Sequence, residues 1–460
     1  MGFKKVKINE KSLAQRLIPF ITSGLSVIIV FVLGLSLLEA TKQLNFNLFD
    51  FLGEKITHIS SEGSEKNKIN ILLVGRGGGN HDAPNLTDTI ILGSIDTKKN
   101  ITSLFSIPRD LYVDIDENRT GKINELYSRA LNQNKNDEKI AMNSLRQKIE
   151  EITGENIDYY VNIDFEGFKE IVDLFDGVDV TVEENLVDYE YPNGRGGYTT
   201  FVLRKGTWTL DGETALKYAR SRHSTSDFDR SLRQQQLISA LKKKITEKGF
   251  FSSAGKIKEL YEITNKYMST DMDIKTMVGI ALKVKENNEI LSFNLNNSCV
   301  YGAVCTKGGL LYTPDRYLFG GASVVLPEGA TASNLGEYSE IQKFTNLVFN
   351  YRSLYKEDYL ITIFNSTKTP NLAKDIATSL TKFGFNLPSY NAIGNTKGEL
   401  YEETTILYNN IDKNSETLRA LEYFLNVPLQ KVEKPLYSND ENTKIEIVLG
   451  SDYLQLENNF

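Results

Sequence analysis

The 460-residue sequence predicts an α/β protein: helices layered around a sheet, a second small α/β domain near the C-terminus, and one N-terminal membrane-spanning helix ahead of both. Three observations predict it. Strand-like apolar runs alternate with helical stripes from residue 69 onward. The same alternation restarts on a smaller scale after residue 358. Finally, an uncharged run, Leu17 to Leu38, lies between Arg16 and Glu39.

That run is 22 residues long with an Ile/Val/Leu/Phe-rich centre. As a helix it would be about 33 Å long, enough to cross a hydrocarbon core of roughly 30 Å. Lys4, Lys5, Lys7, Lys11 and Arg16 precede it against one acid, Glu10. Such a basic flank holds residues 1–16 in the cytoplasm and sends the bulk of the chain across the membrane. A cleaved signal peptide is the rival reading, but the run is long for one and no small-x-small site follows before Glu39. Residues 39–68, polar and charged, read as a stalk.

The elements then follow in order. Ile69–Val74, Thr89–Ile95 and Ile101–Phe105 read as strands, the third stopped by Pro108. Asp137–Thr153 is helical, with Ala141, Leu145, Ile149 and Ile152 on one face and Gly154 past its end. Tyr159–Phe165 is a strand, a short striped helix through Phe175 ends at Gly177, and Val178–Val182 is another strand. Helices are expected over Asp227–Lys248, Ala254–Met268 and Ile274–Lys285. The polar stretch Gly329–Glu340 reads as a linker, part of a connecting segment 329–357. Beyond it, 358–450 carries strands at Tyr359–Phe364, Thr405–Tyr408 and Ile445–Leu449, and helices at Pro370–Gly384 and Ser415–Leu425. Residues 451–460 are a tail.

Charge narrows the function classes. The chain carries −7, and residues 1–16 contribute +4 (five bases, one acid), so the remainder sums to −11. An acidic ectodomain is a poor nonspecific nucleic-acid binder, so any anionic ligand must be held by a local cluster of bases. The two cysteines, Cys299 and Cys305, could close a small disulfide loop in an oxidising compartment, with free structural thiols as the alternative.

Acids and bases concentrate in three segments. Asn85-Leu86-Thr87-Asp88-Thr89 enters a strand; Ser106-Ile107-Pro108-Arg109-Asp110 leaves one, with Lys122-Ile123-Asn124 soon after. The third runs from Ala219 to Gln236. Arg220 and Arg222 alternate and would point the same way in an extended segment. Arg230, Arg233 and Gln234 share a face if helical. Guanidinium forks match phosphate oxygens, so this density suits a pyrophosphate better than a neutral substrate. Asp88 and Asp110 could hold a Mg²⁺ bridging such phosphates. The competing reading is a set of surface ion pairs with Asp227, Asp229 and nearby acids.

In order along the chain, Asn70-Ile71-Leu72-Leu73-Val74-Gly75, Thr87-Asp88-Thr89, Ser106-Ile107-Pro108-Arg109-Asp110, Lys122-Ile123-Asn124, Leu210-Asp211-Gly212-Glu213-Thr214-Ala215-Leu216 and Arg220-Ser221-Arg222 through Arg230-Ser231-Leu232-Arg233-Gln234-Gln235 resemble the LytR–CpsA–Psr (LCP) family of cell-wall glycopolymer ligases. The likeness covers residues 66–245 as motifs and 69–328 as one domain. Residues 358–450 resemble the LytR C-terminal domain through Ile363-Phe364-Asn365-Ser366-Thr367 and Pro370-Asn371-Leu372-Ala373.

The resemblance implies a three-layer α-β-α domain with a mixed central sheet and a Mg²⁺-dependent phosphotransferase outside the cytoplasmic membrane. Its substrates would be a glycan on an undecaprenyl-pyrophosphate carrier and a peptidoglycan acceptor. By position, Asp88 and Asp110 would be metal acids and, with Arg109, catalytic. Arg109, Lys122, Arg220, Arg222, Arg230, Arg233 and Gln234 would grip the pyrophosphate. Water in place of the acceptor hydroxyl would give pyrophosphatase activity.

The chain departs from the family pattern at Leu86, where Arg is common, and after Gly75, where an acid is common and Arg76 or Asp82 is the candidate substitute. Glu125 stands where His often follows Lys-Ile-Asn. Gly75-x-Gly77 is a fragment of a dinucleotide fingerprint, but Pro84 and no helix follow, which predicts a tight phosphate-side loop. His81 and His223 are expected to be solvent-exposed loop residues. The alternatives to an enzyme are a scaffold that binds polyprenyl phosphate or wall glycan without catalysis, and a regulatory protein whose C-terminal module, of unknown partner, dominates.

Overall fold

The computed structural model describes residues 67–453, apart from 80, 117–118, 193–196, 222–226, 247–253, 274–275, 278–279, 281–288, 296–308, 388–392 and 397. The expected anchor, the expected stalk up to residue 66, the cysteine pair, Arg222, His223 and most of the helix expected over 274–285 lie outside those residues. No described helix is long and apolar enough to cross a membrane. The chain divides into two compact units: the described residues of Met1–Arg109, Gly121–Lys148 and Asn156–Asn294 form one, and those of Asp110–Thr120, Ile149–Glu155 and Leu295–Phe460 the other.

The first unit is built on a mixed six-stranded sheet. Strands β1 (Lys68–Arg76), β2 (Thr87–Asp96) and β3 (Ile101–Ser106) form an antiparallel meander. After β4 (Tyr112–Asp116) and β5 (Arg119–Lys122), which pair with each other, β6 (Tyr159–Asp164) returns parallel to β1. Across the sheet the order is β11 (Met268–Thr270), β6, β1, β2, β3, β12 (Glu289–Asn294). The inner strands are buried on both faces, and so read as continuous apolar runs. Their alternation sends Ile69, Ile71 and Leu73 into one core and buries Leu72 and Val74 on the opposite face.

Helices cover each face. Helices α1 (Leu126–Gln133) and α2 (Glu138–Thr153) come first in the chain. On α2, Arg146 lies 5.4 Å over the ring of Tyr160, the register partner of Leu72, so α2 covers that side of the sheet. The other side packs against α3 (Phe165–Leu174), α4 (Gly212–Arg220), α5 (Asp227–Thr246) and α6 (Ala254–Tyr267) through Ile171, Ala215, Leu237, Leu241, Leu260 and Ile263. The layered α-β-α order expected for this unit is present. Two small ribbons complete that core: β7 (Val178–Val182) with β10 (Gly206–Leu210), and the hairpin of β8 (Leu186–Pro192) and β9 (Tyr198–Leu203).

Two boundaries differ from the sequence expectation for identifiable reasons. The strand expected to reach Phe165 stops at Asp164, because the Asp164 carboxylate accepts the Gly167 N–H at 2.9 Å and starts α3. The helix expected through Met268 stops at Tyr267, because Met268–Thr270 pairs with β6 as a sheet edge.

The second unit holds β4 and the first two residues of β5, the pair β13 (Leu311–Tyr312) and β14 (Leu326–Pro327), and a five-stranded sheet. That sheet orders β15 (Ile361–Asn365), β16 (Ile393–Asn395), β17 (Thr405–Tyr408), β18 (Leu429–Lys431) and β19 (Ile445–Leu449) as 16-15-19-17-18. Helices α7 (Ser339–Asn350), α8 (Leu354–Glu357), α9 (Leu372–Lys382) and α10 (Glu416–Leu425) accompany it. The expected linker at Gly329–Glu340 is folded instead: Ala330 and Leu335 are buried with Leu326 in a small cluster flanked by Tyr112, Tyr312 and Phe319. The described residues from Leu295 onward group with this unit by compactness.

Candidate active site

The site lies where β1 and β6 end and β2 begins, beside α3, α4, α5 and the β8–β9 hairpin, all within the first unit. Its floor begins with the glycine loop. Gly78 adopts φ +65, and a Cβ there would overlap the side chain of Asp164. A Cβ on Gly77 would stand 2.7 Å from His81 Nδ1. Glycine at both positions lets the loop turn against Asp164 and seat the His81 ring. The turn closes through Gly78 N–H to Pro84 O at 2.8 Å and His81 N–H to Gly78 O at 3.1 Å. Burial raises the pKa of Asp164, opposed by the Gly167 N–H bond and the nearby Arg76 charge.

Two contiguous cavities share Thr89, Phe165, Arg220 and Gln234. The inner one is apolar, lined by Leu73, Ile91, Ile163, Phe168, Leu216 and Leu237, with about 630 Å³ of empty space including its opening. The outer one, about 1040 Å³ with its opening, carries most of the charged side chains. Arg109, Arg220 and Arg230 line it, together with Asp88, Asp188 and Glu190. An apolar chamber with an arginine-bearing mouth fits a ligand that has a hydrocarbon body and an anionic head.

Within the mouth, Asp88 Oδ1 accepts from Arg109 Nη1 at 2.5 Å and from Asn124 Nδ2 at 3.4 Å. The Asn124 backbone ties the same corner, donating to Arg109 O at 3.3 Å and accepting from Thr87 Oγ1 at 3.3 Å. Three separated sequence motifs thus meet at one carboxylate.

Arg220 reaches the mouth in a way the alternating Arg-Ser-Arg pattern did not anticipate. It is the last residue of α4, a helix started by Asp211, whose carboxylate accepts the Thr214 N–H at 2.8 Å. Its guanidinium stands 4.6 Å from the Phe165 ring centroid and 5.7 Å from that of Tyr191. Nη1 donates to Tyr191 Oη at 3.4 Å, and Nη2 lies 2.9 Å from His81 Nε2. Burial pushes the Tyr191 hydroxyl pKa up, and the Arg220 charge pulls the other way.

Helix α5 supplies Arg230 and Gln234, one turn apart, to the mouth. Arg233 does something else. It is buried, its Nε donates to Tyr218 O at 2.9 Å, its Nη2 donates to Ser221 O, and its guanidinium lies 5.9 Å from the Tyr218 ring. Gln234 Nε2 also reaches Ala219 O at 3.4 Å. These donors serve the carbonyls that the end of α4 leaves without helical partners, and so fix where Arg220 points.

Of the residues singled out in the sequence, Asp88, Arg109, Arg220, Arg230 and Gln234 are brought together. Lys122 ends β5 and is not among the residues lining the mouth. Asp110 belongs to the second unit, where its carbonyl accepts the Val325 N–H at 3.0 Å. Arg76 is turned to Asn85 (3.4 Å) and Glu138 (3.6 Å), and Asp82 is exposed; neither lines the cavities. His81, by contrast, is in the mouth rather than in a solvent-facing loop. The hairpin residues Asp188, Glu190 and Tyr191 carried no recognisable motif.

Two family models match the chain. One, the LytR_cpsA_psr family, covers residues 42–315; the other, described as LytR cell envelope-related transcriptional attenuator, covers 358–453. Among curated relatives, the chain is 27% identical over 220 residues to the polyisoprenyl-teichoic acid–peptidoglycan teichoic acid transferase TagT of Bacillus subtilis, covering 47% of this chain and 64% of that one. It is 32% identical over 212 residues to TagU of Oceanobacillus iheyensis, named as the same kind of transferase, covering 46% and 61%. The matches thus span less than two thirds of either relative. A solved structure described as TagT bound to LIIa-WTA shares 24% identity, covers 62% of this chain and 91% of that one, and has a TM-score of 0.44. With the first model matching more than half of its length, this chain belongs to the LytR_cpsA_psr family.

Proposed function

We propose that this protein is a phosphotransferase that moves a glycan from a polyprenyl-pyrophosphate carrier onto peptidoglycan through a phosphodiester. The observation that carries the proposal is the apolar chamber opening into a mouth with three arginines, with Arg220 and Gln234 shared between them. In this reading the prenyl chain enters among Leu73, Ile163, Leu216 and Leu237, and the pyrophosphate stays at Arg220, Arg230 and Arg109. An acceptor hydroxyl attacks the phosphorus bearing the glycan, the bridging P–O bond breaks, and polyprenyl monophosphate leaves. Such a displacement needs charge neutralisation and in-line placement more than covalent help from the protein. Arg220, braced by Phe165 and Tyr191, supplies fixed positive charge at that point.

In this reading a Mg²⁺ ion would be held chiefly by substrate phosphates, with Asp88 as its protein ligand. Asp88 is a carboxylate in the mouth whose Oδ1 accepts from Arg109 and Asn124. That ion is usually held by one or two carboxylates together with substrate phosphates. When bound, it would neutralise phosphate charge. The Leu17–Leu38 run serves this reading as a single-pass anchor: a polyprenyl carrier stays in the bilayer, so an enzyme acting on its headgroup works at the membrane's outer face.

Chain length of the ligand tests the reading directly. Burying prenyl carbons gains about 0.8 kcal/mol per CH₂. The full-length protein should therefore bind geranylgeranyl pyrophosphate at least about a hundredfold more tightly than inorganic pyrophosphate in titration calorimetry. Equal affinities would remove the chamber from the account.

A further inference from the structure

The loop after β1 places a histidine in an arrangement that cannot be satisfied as it stands. The His81 ring is fixed from three sides: it lies against Gly77, meets Phe165 edge-on at 5.4 Å and 88°, and takes the Ala83 N–H on Nδ1 at 3.2 Å. On its other side, Arg220 Nη2 lies 2.9 Å from Nε2. A neutral imidazole has one acceptor nitrogen, yet two N–H donors face it, and a protonated ring has none. Among the described residues the Ala83 amide has no other acceptor to turn to within the loop, whereas the Arg220 guanidinium carries further N–H groups and is held independently by Phe165 and Tyr191. With the Nδ1 acceptor assigned to Ala83, the ring proton is on Nε2. Two donors, Nε2–H and Nη2–H, then converge at the mouth, and an anionic oxygen accepting from both resolves the conflict.

We infer that His81 is a ligand of the pyrophosphate, giving its Nε2–H to the same phosphoryl oxygens that Arg220 grips. This rests on the reading of the mouth as a pyrophosphate site. The loop supports the role independently: Gly77 is the residue that admits the ring, and its glycine is required by His81 itself rather than by backbone conformation, since no positive φ occurs there. This chain brings a hydrogen-bond donor to the phosphates from that loop.

The test is binding of inorganic pyrophosphate and of geranyl pyrophosphate to the full-length protein by calorimetry, for wild type, His81→Ala, His81→Asn, His81→Gln and Arg220→Ala. A glutamine amide can stand in for Nε2–H, and an asparagine cannot reach that position. The Ala and Asn variants should bind both probes about tenfold more weakly, and the Gln variant should recover to within about threefold of wild type. Wild-type affinity in His81→Ala with a loss in Arg220→Ala would overturn the role of His81 and leave the pyrophosphate site standing. Equal losses in the Ala and Gln variants would also overturn it, making the ring a packing element of the loop. Wild-type affinity in Arg220→Ala would sink the pyrophosphate site and this inference together.

Discussion

Replacing Arg220 with alanine should lower the rate of polyprenyl phosphate release by about a thousandfold, the scale of removing a preorganised charge from a transferring phosphoryl group. The residue's position explains the size of the effect. Its guanidinium is held by Phe165 at 4.6 Å and by the Tyr191 hydroxyl at 3.4 Å, so little reorganisation is needed when charge develops. Lysine should not rescue it. An ammonium lacks the rigid planar fork that packs on Phe165 while its separate N–H groups reach Tyr191 and the phosphate. Initial rates with a labelled carrier substrate, measured for Arg220→Ala and Arg220→Lys, check both parts. Full recovery in the lysine variant would reduce Arg220 to a simple positive charge.

The second large effect is on stability. Arg233→Met should lower the unfolding free energy by about 2–5 kcal/mol, because the buried carbonyls of Tyr218 and Ser221 lose their donors. Denaturant unfolding of the first unit gives the measure. At temperatures well below the transition, the variant should keep most of its pyrophosphate affinity, since Arg233 is absent from the residues lining the mouth. The reading of the sequence alone, with Arg233 gripping phosphate beside Arg230, predicts the reverse: weakened binding at unchanged stability.

Arg233 also marks how far the sequence could be read. Spacing placed Arg230, Arg233 and Gln234 on one helical face, and α5 does carry Arg230 and Gln234 into the same mouth. A three-residue offset, however, is enough to turn Arg233 toward the end of α4, where three carbonyls need donors. Periodicity reports the face of a helix and not which unsatisfied group lies beside it. The strands were legible because β1 and β3 are buried on both sides, leaving apolar runs that few other structures produce.

The hairpin that brings Asp188, Glu190 and Tyr191 to the site was not legible. Its register shifts between Asp188 and Tyr191, which breaks the alternation by which such strands are recognised. The unit boundary was hidden for another reason. Residues 110–120 leave the first unit and join the chain beyond Leu295, a nonlocal pairing seen in the Tyr112 N–H bond to Val325 O at 3.0 Å. His81 was hidden because a lone histidine in a loop has no pattern; only Gly77, made necessary by the ring packed on it, hinted that the residue is held.

The most direct test of the account is transfer itself. Full-length protein, in detergent with Mg²⁺, would be given a polyprenyl-pyrophosphate glycan labelled in the sugar, together with peptidoglycan as acceptor. Acid-labile label on the peptidoglycan and stoichiometric polyprenyl monophosphate would then be counted for wild type, Arg220→Ala and Asp88→Ala. The account predicts both products from wild type, their loss when Mg²⁺ is chelated, and background levels from the two variants. Background levels from wild type itself, or wild-type levels from both variants, would contradict it.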